Sequence, residues 1–396
     1  MATRGETGLT QASVRSTNLQ LVLGAIQRGA GAVSRADIAA QLGMTRSTVS
    51  RLVDDLVLGR LVAEGTAVSG ARGRPAVPLA IRAGTVVSLG LEINVERLVA
   101  TVVDLAGNLI ASVQRTVEVR DIGTAEAMRQ LAGIAGEALA AAPTDARIVG
   151  AVLALPGLVD RDGTTVLRAP NLGWDGLQPV ADWDLTTDDG PLPLRIANDI
   201  DCSALTVLRE QPGESFLYIT GEVGIGSAIS LAGQLLTGPH GWASELGHVC
   251  VDPHGVRCGC GATGCLETVV GQRALLHRAG QPDMEAYLAA LEAGDQTAAT
   301  VLDEVIVALG IAVGGALNLI DVTAVKLGGH LGQLEPWLAA RLADEIHDRV
   351  LWSDHSTIEI TTVAEAPLRA AMGAGLSALA RVTNDPASWI EPLIDR

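Results

Sequence analysis

Cys258-Gly-Cys-Gly-Ala-Thr-Gly-Cys-Leu-Glu267 brings three cysteines into one short, glycine-rich segment, and Glu245-Leu-Gly-His248 stands shortly before it. Three thiolates and one imidazole suit a tetrahedral Zn²⁺ ion, and the interleaved glycines let the loop fold around the metal. A closed set of four protein ligands is typical of a structural site. The sequence therefore predicts a structural zinc site. Its ligands are His248, Cys258, Cys260 and Cys265.

The cysteine count favours a metal over disulfides. The chain has five Cys, an odd number, and a clustered set of this kind is typical of a metal site in a reducing compartment. The alternative is that the three clustered thiols are reduced, buried and unliganded. Cys250 stands where it could compete as a ligand, and the predicted set leaves it out.

Outside this segment, apolar runs predict the start of an α/β domain. Val86 to Ile93 and Leu98 to Asp104 indicate two strands joined by a short turn, and a turn over 106–108 leads into a third strand. Three further motifs lie between these strands and the cysteines, namely Ala169-Pro-Asn-Leu-Gly-Trp174, Ala197-Asn-Asp199 and Gly221-Glu-Val-Gly-Ile-Gly226. With these motifs in this order, the chain resembles the ROK family, named for repressors, open reading frames and kinases.

The resemblance covers nearly the whole chain and implies its architecture. It implies an α/β protein with an N-terminal winged helix-turn-helix, residues 1–82, followed by a two-lobed actin-like ATPase or sugar-kinase (ROK) fold. Lobe 1 would comprise residues 83–200, completed by a C-terminal helix at about 380–396. Lobe 2 would comprise residues 201–379 and carry the zinc loop and an oligomerisation surface.

The resemblance also implies a sugar site in the cleft between the lobes. Each sugar hydroxyl both donates and accepts a hydrogen bond, so carboxylates and amides suit it best. His248 would bind zinc through one ring nitrogen and a sugar hydroxyl through the other, and the turn at Pro156-Gly157 would lie alongside. The residues that match the family's sugar site are Asn171, Asn198, Asp199, Glu245, His248 and Glu267.

Near the N-terminus, apolar spacing and capping residues predict a helix-turn-helix. A first helix covers Asn18 to Arg28. Ser34 and Asp37 form a capping pattern for a second helix over Arg35 to Leu42. Thr45 caps a third helix, whose apolar residues form one core-facing stripe. Residues 61–64 and 76–81, separated by a Gly- and Arg-rich turn, indicate a β-wing.

This layout favours DNA binding. The last helix of the motif presents its N-terminal residues to base edges, and arginines at a flexible wing tip can enter a minor groove. The alternative for such a three-helix unit is a protein-interaction module. The predicted DNA contacts are Thr45, Arg46, Ser47, Thr48 and Arg51 on the third helix, and Arg72 and Arg74 in the wing.

In the family's kinases the phosphate-binding loop reads Asp-x-Gly-Gly-Thr, whereas the matching stretch here is Glu92-Ile-Asn94-Val95-Glu96. Glycine lets the backbone approach phosphate closely. Val95 stiffens the turn, and Glu96 is expected to bring a negative charge to the phosphate position. Glu222-Val223 replaces the Gly-Thr that kinases favour in a second loop. We therefore predict that the chain is not an enzyme and that Asp199, which matches the kinases' general base, only binds sugar.

Charge is unevenly distributed along the chain. The whole sequence carries a formal charge of −17, but residues 1–82 contain ten Arg and five acidic residues, about +5, which leaves −22 for the remainder. A basic N-terminal module on an acidic body fits a DNA-reading unit attached to an effector domain.

The expected partners are double-stranded operator DNA, a sugar or sugar-phosphate effector, and further copies of the chain in a homodimer or homotetramer. No signal-like apolar segment follows Met1, and the longest apolar runs fall short of the roughly 20 residues that span a bilayer. We therefore expect a cytoplasmic protein that does not enter a membrane. Two alternatives stay open: an active sugar kinase with a DNA-binding head, and a repressor whose body only oligomerises.

Overall fold

The computed structural model describes residues 11–66, 77–222, 224–364 and 366–394. It consists of an N-terminal head and two α/β lobes, as the sequence predicts. The predicted wing-tip contacts Arg72 and Arg74 lie outside the described residues.

The head is a winged helix-turn-helix. Ser34 caps the second helix through a capping box with Asp37, Gly43 makes the turn with a φ of 64°, and Thr45 caps the third helix. These caps confirm the predicted helix starts, because each satisfies backbone N–H groups that a helix leaves unpaired. The elements are α1 (Gln11–Arg28), β1 (Val33–Ser34), α2 (Arg35–Leu42), α3 (Arg46–Leu58), β2 (Val62–Glu64) and β3 (Pro78–Ile81), with the strands in the order β1-β3-β2.

Lobe 1 is built on a five-stranded sheet in the order β13-β7-β4-β5-β6, in which β13, β7 and β4 run parallel. Gly90 in β4 lets a helix from the chain's end approach, since a Cβ there would lie 1.9 Å from the Ala371 carbonyl oxygen. The elements are β4 (Val86–Ile93), β5 (Arg97–Asp104), β6 (Leu109–Thr116), α4 (Val119–Leu139), β7 (Arg147–Leu155), β8 (Leu158–Val159), β9 (Val166–Ala169), β10 (Trp174–Leu177), β11 (Thr186–Thr187), β12 (Gly190–Pro191), β13 (Leu194–Asn198) and α5 (Asp199–Glu210).

Lobe 2 contains a second five-stranded sheet, in the order β16-β15-β14-β17-β18. Of the helices in the described ranges, α9 alone is long and apolar enough to span a membrane by length and composition, and most of it is buried inside this lobe. The elements are β14 (Phe216–Gly221), β15 (Ile225–Leu231), β16 (Gln234–Leu235), α6 (Glu267–Val270), α7 (Gln272–Ala279), α8 (Met284–Glu292), α9 (Gln296–Ile320), β17 (Ala324–Gly328), α10 (Gly329–Gln333), α11 (Glu335–His347) and β18 (Glu359–Thr362).

The chain's end returns to lobe 1 and to the head. α12 (Arg369–Asn384) packs on the lobe 1 sheet, and α13 (Pro386–Ile394) packs against α1 and α3. The predicted boundary at 379 falls inside α12, and α13 contacts both the head and lobe 1, where Arg147 of β7 donates a hydrogen bond to the Trp389 carbonyl oxygen. Ile390 is fully buried in an apolar cluster that contains residues of α1, α3, β4, β5 and α12. The head and lobe 1 thus share one hydrophobic core.

Candidate functional site

A cavity of about 700 Å³ lies between the two lobes. This is the size of pocket that holds small organic ligands. All six residues that the sequence predicts for a sugar site line it, although they come from four separate segments of the chain. They are Asn171, Asn198, Asp199, Glu245, His248 and Glu267.

The junction of β13 and α5 delivers two of these residues. Asn198 caps α5, since its side-chain oxygen accepts hydrogen bonds from the backbone N–H groups of Ile200 and Asp201. Its amide nitrogen donates to the Gly157 carbonyl, 3.2 Å away, which ties this junction to the turn at the end of β7. Asp199 is therefore held at the first position of a helix that begins at the cavity wall.

Asp199 has an unusual electrostatic environment. Burial, followed by the nearby carboxylates of Glu222 and Glu92, raises its pKa to about 8. A carboxyl group with this pKa is mostly protonated at neutral pH. It can then donate one hydrogen bond and accept another, as a sugar hydroxyl requires.

On the other side of the cavity, the loop between β14 and β15 contacts Glu267. One Glu267 oxygen, Oε2, accepts a hydrogen bond from the Ile225 N–H over 3.1 Å. A Cβ added to Gly224 would lie 2.1 Å from that oxygen and 3.7 Å from the Asn171 amide nitrogen. The absence of a side chain at Gly224 thus gives Glu267 its position beside Asn171.

We expect Gly224→Ala to weaken sugar binding by about tenfold or more, because the added methyl group displaces Glu267 and a lost hydrogen bond to a charged group is worth roughly 1.5–3 kcal/mol. Calorimetric titration with the sugar that binds the parent protein measures this loss. Gly133→Ala is the matched control, since Gly133 is exposed on α4, lies outside the cavity, and a Cβ there meets no neighbouring atom within 4 Å. An affinity unchanged in Gly224→Ala would show that Glu267 does not contact the sugar.

The predicted metal ligands meet beside the same cavity. The ligand atoms of His248, Cys258, Cys260 and Cys265 all lie within 4.8 Å of one another. The Cys260 and Cys265 sulfurs are 3.6 Å apart, and the Cys258 sulfur is 3.8 Å from His248 Nδ1. A tetrahedron with zinc–sulfur bonds of about 2.3 Å has edges of about 3.8 Å, so the four side chains fit such an ion.

This cluster also places sugar-site residues. His248 turns Nδ1 towards Cys258, which leaves Nε2 for another partner. Glu267 follows Cys265 by two residues, and its Oε1 lies 3.9 Å from the Cys258 sulfur. A metal in the cluster would therefore fix the positions of both His248 and Glu267.

At the opposite end of the cavity, charged side chains occupy the loop that matches the kinases' phosphate loop. Arg97 donates to Glu92 Oε1 through two nitrogens, at 3.0 and 2.7 Å, and lies 3.5 Å from Glu222. Asn94 Nδ2 donates to Glu222 over 2.8 Å. Contrary to the expectation from the sequence, Glu96 is exposed and does not line the cavity, whereas Glu92, in β4, is buried and does. Arg97, at the start of β5, also lines this end of the cavity, and none of the sequence motifs indicates it.

The third helix of the head presents the predicted DNA contacts on its open side. Thr45, Arg46, Ser47 and Arg51 are exposed, and Thr48 is half-buried. The apolar stripe of the same helix is buried against α1 and α2. The polar end of the helix is therefore available to a partner.

The family model described as "ROK family" matches residues 88–381. The chain belongs to the ROK family. A second family model, "MarR family", matches residues 21–73 in the winged helix, in agreement with the observed head. The fold and family expected from the sequence are thus confirmed.

Individual ROK proteins of both kinds resemble the chain. The xylose repressor of Caldicellulosiruptor bescii is 24% identical over 91% of this chain and 94% of its own length. The glucokinase of Halalkalibacterium halodurans is 30% identical over 46% of this chain, and the match spans only 61% of that protein. A crystal structure of a ROK family transcriptional regulator, described as a homologue of the E. coli MLC protein, has a TM-score of 0.78 at 25% identity and covers 95% of this chain and 99% of that one.

Proposed function

We propose that this ROK protein is a sugar-responsive repressor that binds operator DNA through its winged helix. The observation that carries the proposal is the shared core of head and lobe 1, because it joins a DNA-reading unit rigidly to one wall of a sugar-sized cleft. A ligand that closes the cleft moves the lobes relative to each other. The head moves with lobe 1, which changes its fit to DNA.

The surface of the head supports DNA as the partner. Arg46 and Arg51 make no ion pair with any residue that the structure describes, whereas Arg35 is held by Asp54 and Glu64. Unengaged arginines beside exposed hydroxyls are suited to phosphates and base edges. The xylose repressor of Caldicellulosiruptor bescii, whose match covers 91% of this chain and 94% of that protein, also supports DNA as the partner.

Structural zinc completes the site in this proposal. His248, Cys258, Cys260 and Cys265 would hold it, and their mutual distances suit four-coordinate zinc. Zinc would order the loop from which His248 and Glu267 reach the sugar.

We further propose that the protein senses sugar without phosphorylating it. Val95 N–H, a candidate phosphate donor, is already bonded to Asn94 Oδ1 over 2.6 Å, and carboxylates surround the phosphate position. Because several relatives are kinases, an active sugar kinase is the second candidate. ATP turnover above background over a panel of hexoses and amino sugars, in protein free of contaminating kinases, would establish that alternative.

A homodimer or homotetramer in the cytoplasm would present two heads to adjacent half-sites. The outer side of α9 supports self-association, since Val307 and Ile311 are exposed there, as is Leu319 near its end. Apolar side chains exposed in one region are typical of an interface.

DNA binding with and without sugar tests the proposal. Fluorescence anisotropy with a duplex from the region upstream of the protein's own gene should show specific binding at a stated salt concentration, and one sugar should change the affinity. Binding unaffected by every sugar in the panel would favour a repressor whose body only oligomerises. Absence of binding to any duplex would refute the proposal.

A further inference from the structure

The phosphate end of the cavity contains a carboxylate oxygen that no neighbour satisfies. Glu92 is 1% exposed and lines the cavity. Its Oε1 accepts both bonds from Arg97, but its Oε2 is buried and has no hydrogen-bond partner among the described residues. An unpaired buried acceptor favours a ligand that brings a hydrogen-bond donor and disfavours one that brings another acceptor.

Two more acidic groups share this end. Burial raises the pKa of Asp199, and the nearby charges of Glu222 and Glu92 raise it further. Because Asp199 is mostly protonated at neutral pH, Glu92 and Glu222 supply the negative charge at this end. The positive charge beside them is that of Arg97, which already forms ion pairs with Glu92 and Glu222. An added anion would meet net negative charge here.

The other arginines of the cavity wall, within the described ranges, do not change this balance. Arg369 donates to Thr206, Glu210 and the Ala364 carbonyl. Arg168 lies at the opposite end, beside the cysteine loop, where a Cβ on Gly261 would be 4.0 Å from its guanidinium. Neither is free to neutralise a phosphate next to Asp199.

We infer that Glu92 and Glu222 select an unphosphorylated sugar and reject its 6-phosphate, so that this regulator responds to the neutral sugar itself. The inference rests on the proposed sugar-sensing function. Volume does not account for the selection, because a cavity of about 700 Å³ is large enough for a monosaccharide with its phosphate. Charge accounts for the selection. A phosphate monoester carries about −1.5 to −2 at neutral pH. A phosphate on the sugar hydroxyl next to Asp199 would face Glu92 and Glu222.

Matched ligand pairs test the inference on the full-length protein. Calorimetric titration and thermal-shift measurements would compare glucose, mannose, N-acetylglucosamine and N-acetylmannosamine with the 6-phosphate of each. We expect one neutral sugar to bind and its 6-phosphate to bind at least about tenfold more weakly, with a smaller ratio in high salt because salt screens the repulsion.

Variants identify the residues responsible. Glu222→Gln should raise the affinity for the 6-phosphate at least about threefold relative to the neutral sugar, since removing one charge removes one repulsion. Glu222 is 56% exposed, so the variant is expected to fold. Glu96→Gln removes the same charge from an exposed position outside the cavity and should leave the ratio unchanged.

The outcomes separate this inference from the proposed function. A 6-phosphate that binds as tightly as its parent sugar, or instead of it, would overturn the inference and leave sugar sensing intact. An unaltered ratio in Glu222→Gln would also overturn it, because the selection would then be steric. No binding of any sugar or sugar phosphate, with xylose added to the panel because relatives are named xylose repressors, would refute the proposed sensing function, and the inference with it.

Discussion

Cys265→Ser is expected to lose bound metal and, with it, sugar binding. Cys265 is fully buried, and its sulfur lies 3.6 Å from that of Cys260. A hydroxyl is a much poorer zinc ligand than a thiolate. Because even the loss of a partner outside the first coordination shell lowers metal affinity about 10–100-fold, the loss of a ligand should lower it by more than about 100-fold. Without metal, the loop that positions His248 and Glu267 is no longer held in place.

Zinc content by mass spectrometry and sugar affinity by calorimetry measure the two effects on the same sample. Cys250→Ser is the matched control, because Cys250 is exposed and lies outside the four-residue cluster. It should retain both metal and sugar binding. A Cys265→Ser protein that keeps one zinc per chain would contradict the assignment of ligands.

The chain should remain folded when the metal is lost. The core of lobe 2 is built around α9, with fully buried residues such as Val305, Leu309 and Val313. Apolar burial on this scale stabilises the lobe independently of the loop. We therefore expect a lower melting temperature with an unchanged far-ultraviolet circular dichroism spectrum, in contrast to small zinc fingers, which unfold without metal.

Local patterns in the sequence account for the parts of the fold that short-range chemistry determines. Ser34, Asp37 and Thr45 signal helix starts because capping depends on neighbours three residues away, and the structure has these caps. α1 begins at Gln11 instead of the expected Asn18. The residues before Asn18 are mostly polar, and no apolar spacing among them indicates that the helix starts earlier.

The sequence patterns do not predict contacts between residues that are far apart in the chain. No spacing rule brings Asn171 to Gly224, or Glu222 to Asn94, because these residues meet only after two lobes have folded. The resemblance to a family supplied the sugar residues, but it could not supply features specific to this chain. The inward direction of Glu92, its pairing with Arg97, and the packing of α13 on the head depend on side-chain geometry that a single sequence does not encode locally.

Replacing both Arg46 and Arg51 by Ala should reduce operator affinity by about 100-fold or more. Both side chains are exposed on the third helix of the head. A bidentate arginine contact to a base is worth roughly 1–3 kcal/mol, and each lost phosphate contact lowers the salt slope by about 0.9. The variant's fold should be unaffected, since neither residue belongs to the buried stripe of α3.

Anisotropy titrations at several salt concentrations distinguish the two kinds of contact. Loss of affinity with an unchanged salt slope indicates base contacts, whereas a shallower slope indicates phosphate contacts. Arg161→Ala removes a charge from an exposed loop of lobe 1 and should bind like the parent. If the double variant bound DNA as tightly as the parent, with the same salt slope, the third helix would not be the recognition helix. The DNA contact would then have to come from another part of the chain, such as the predicted wing residues Arg72 and Arg74.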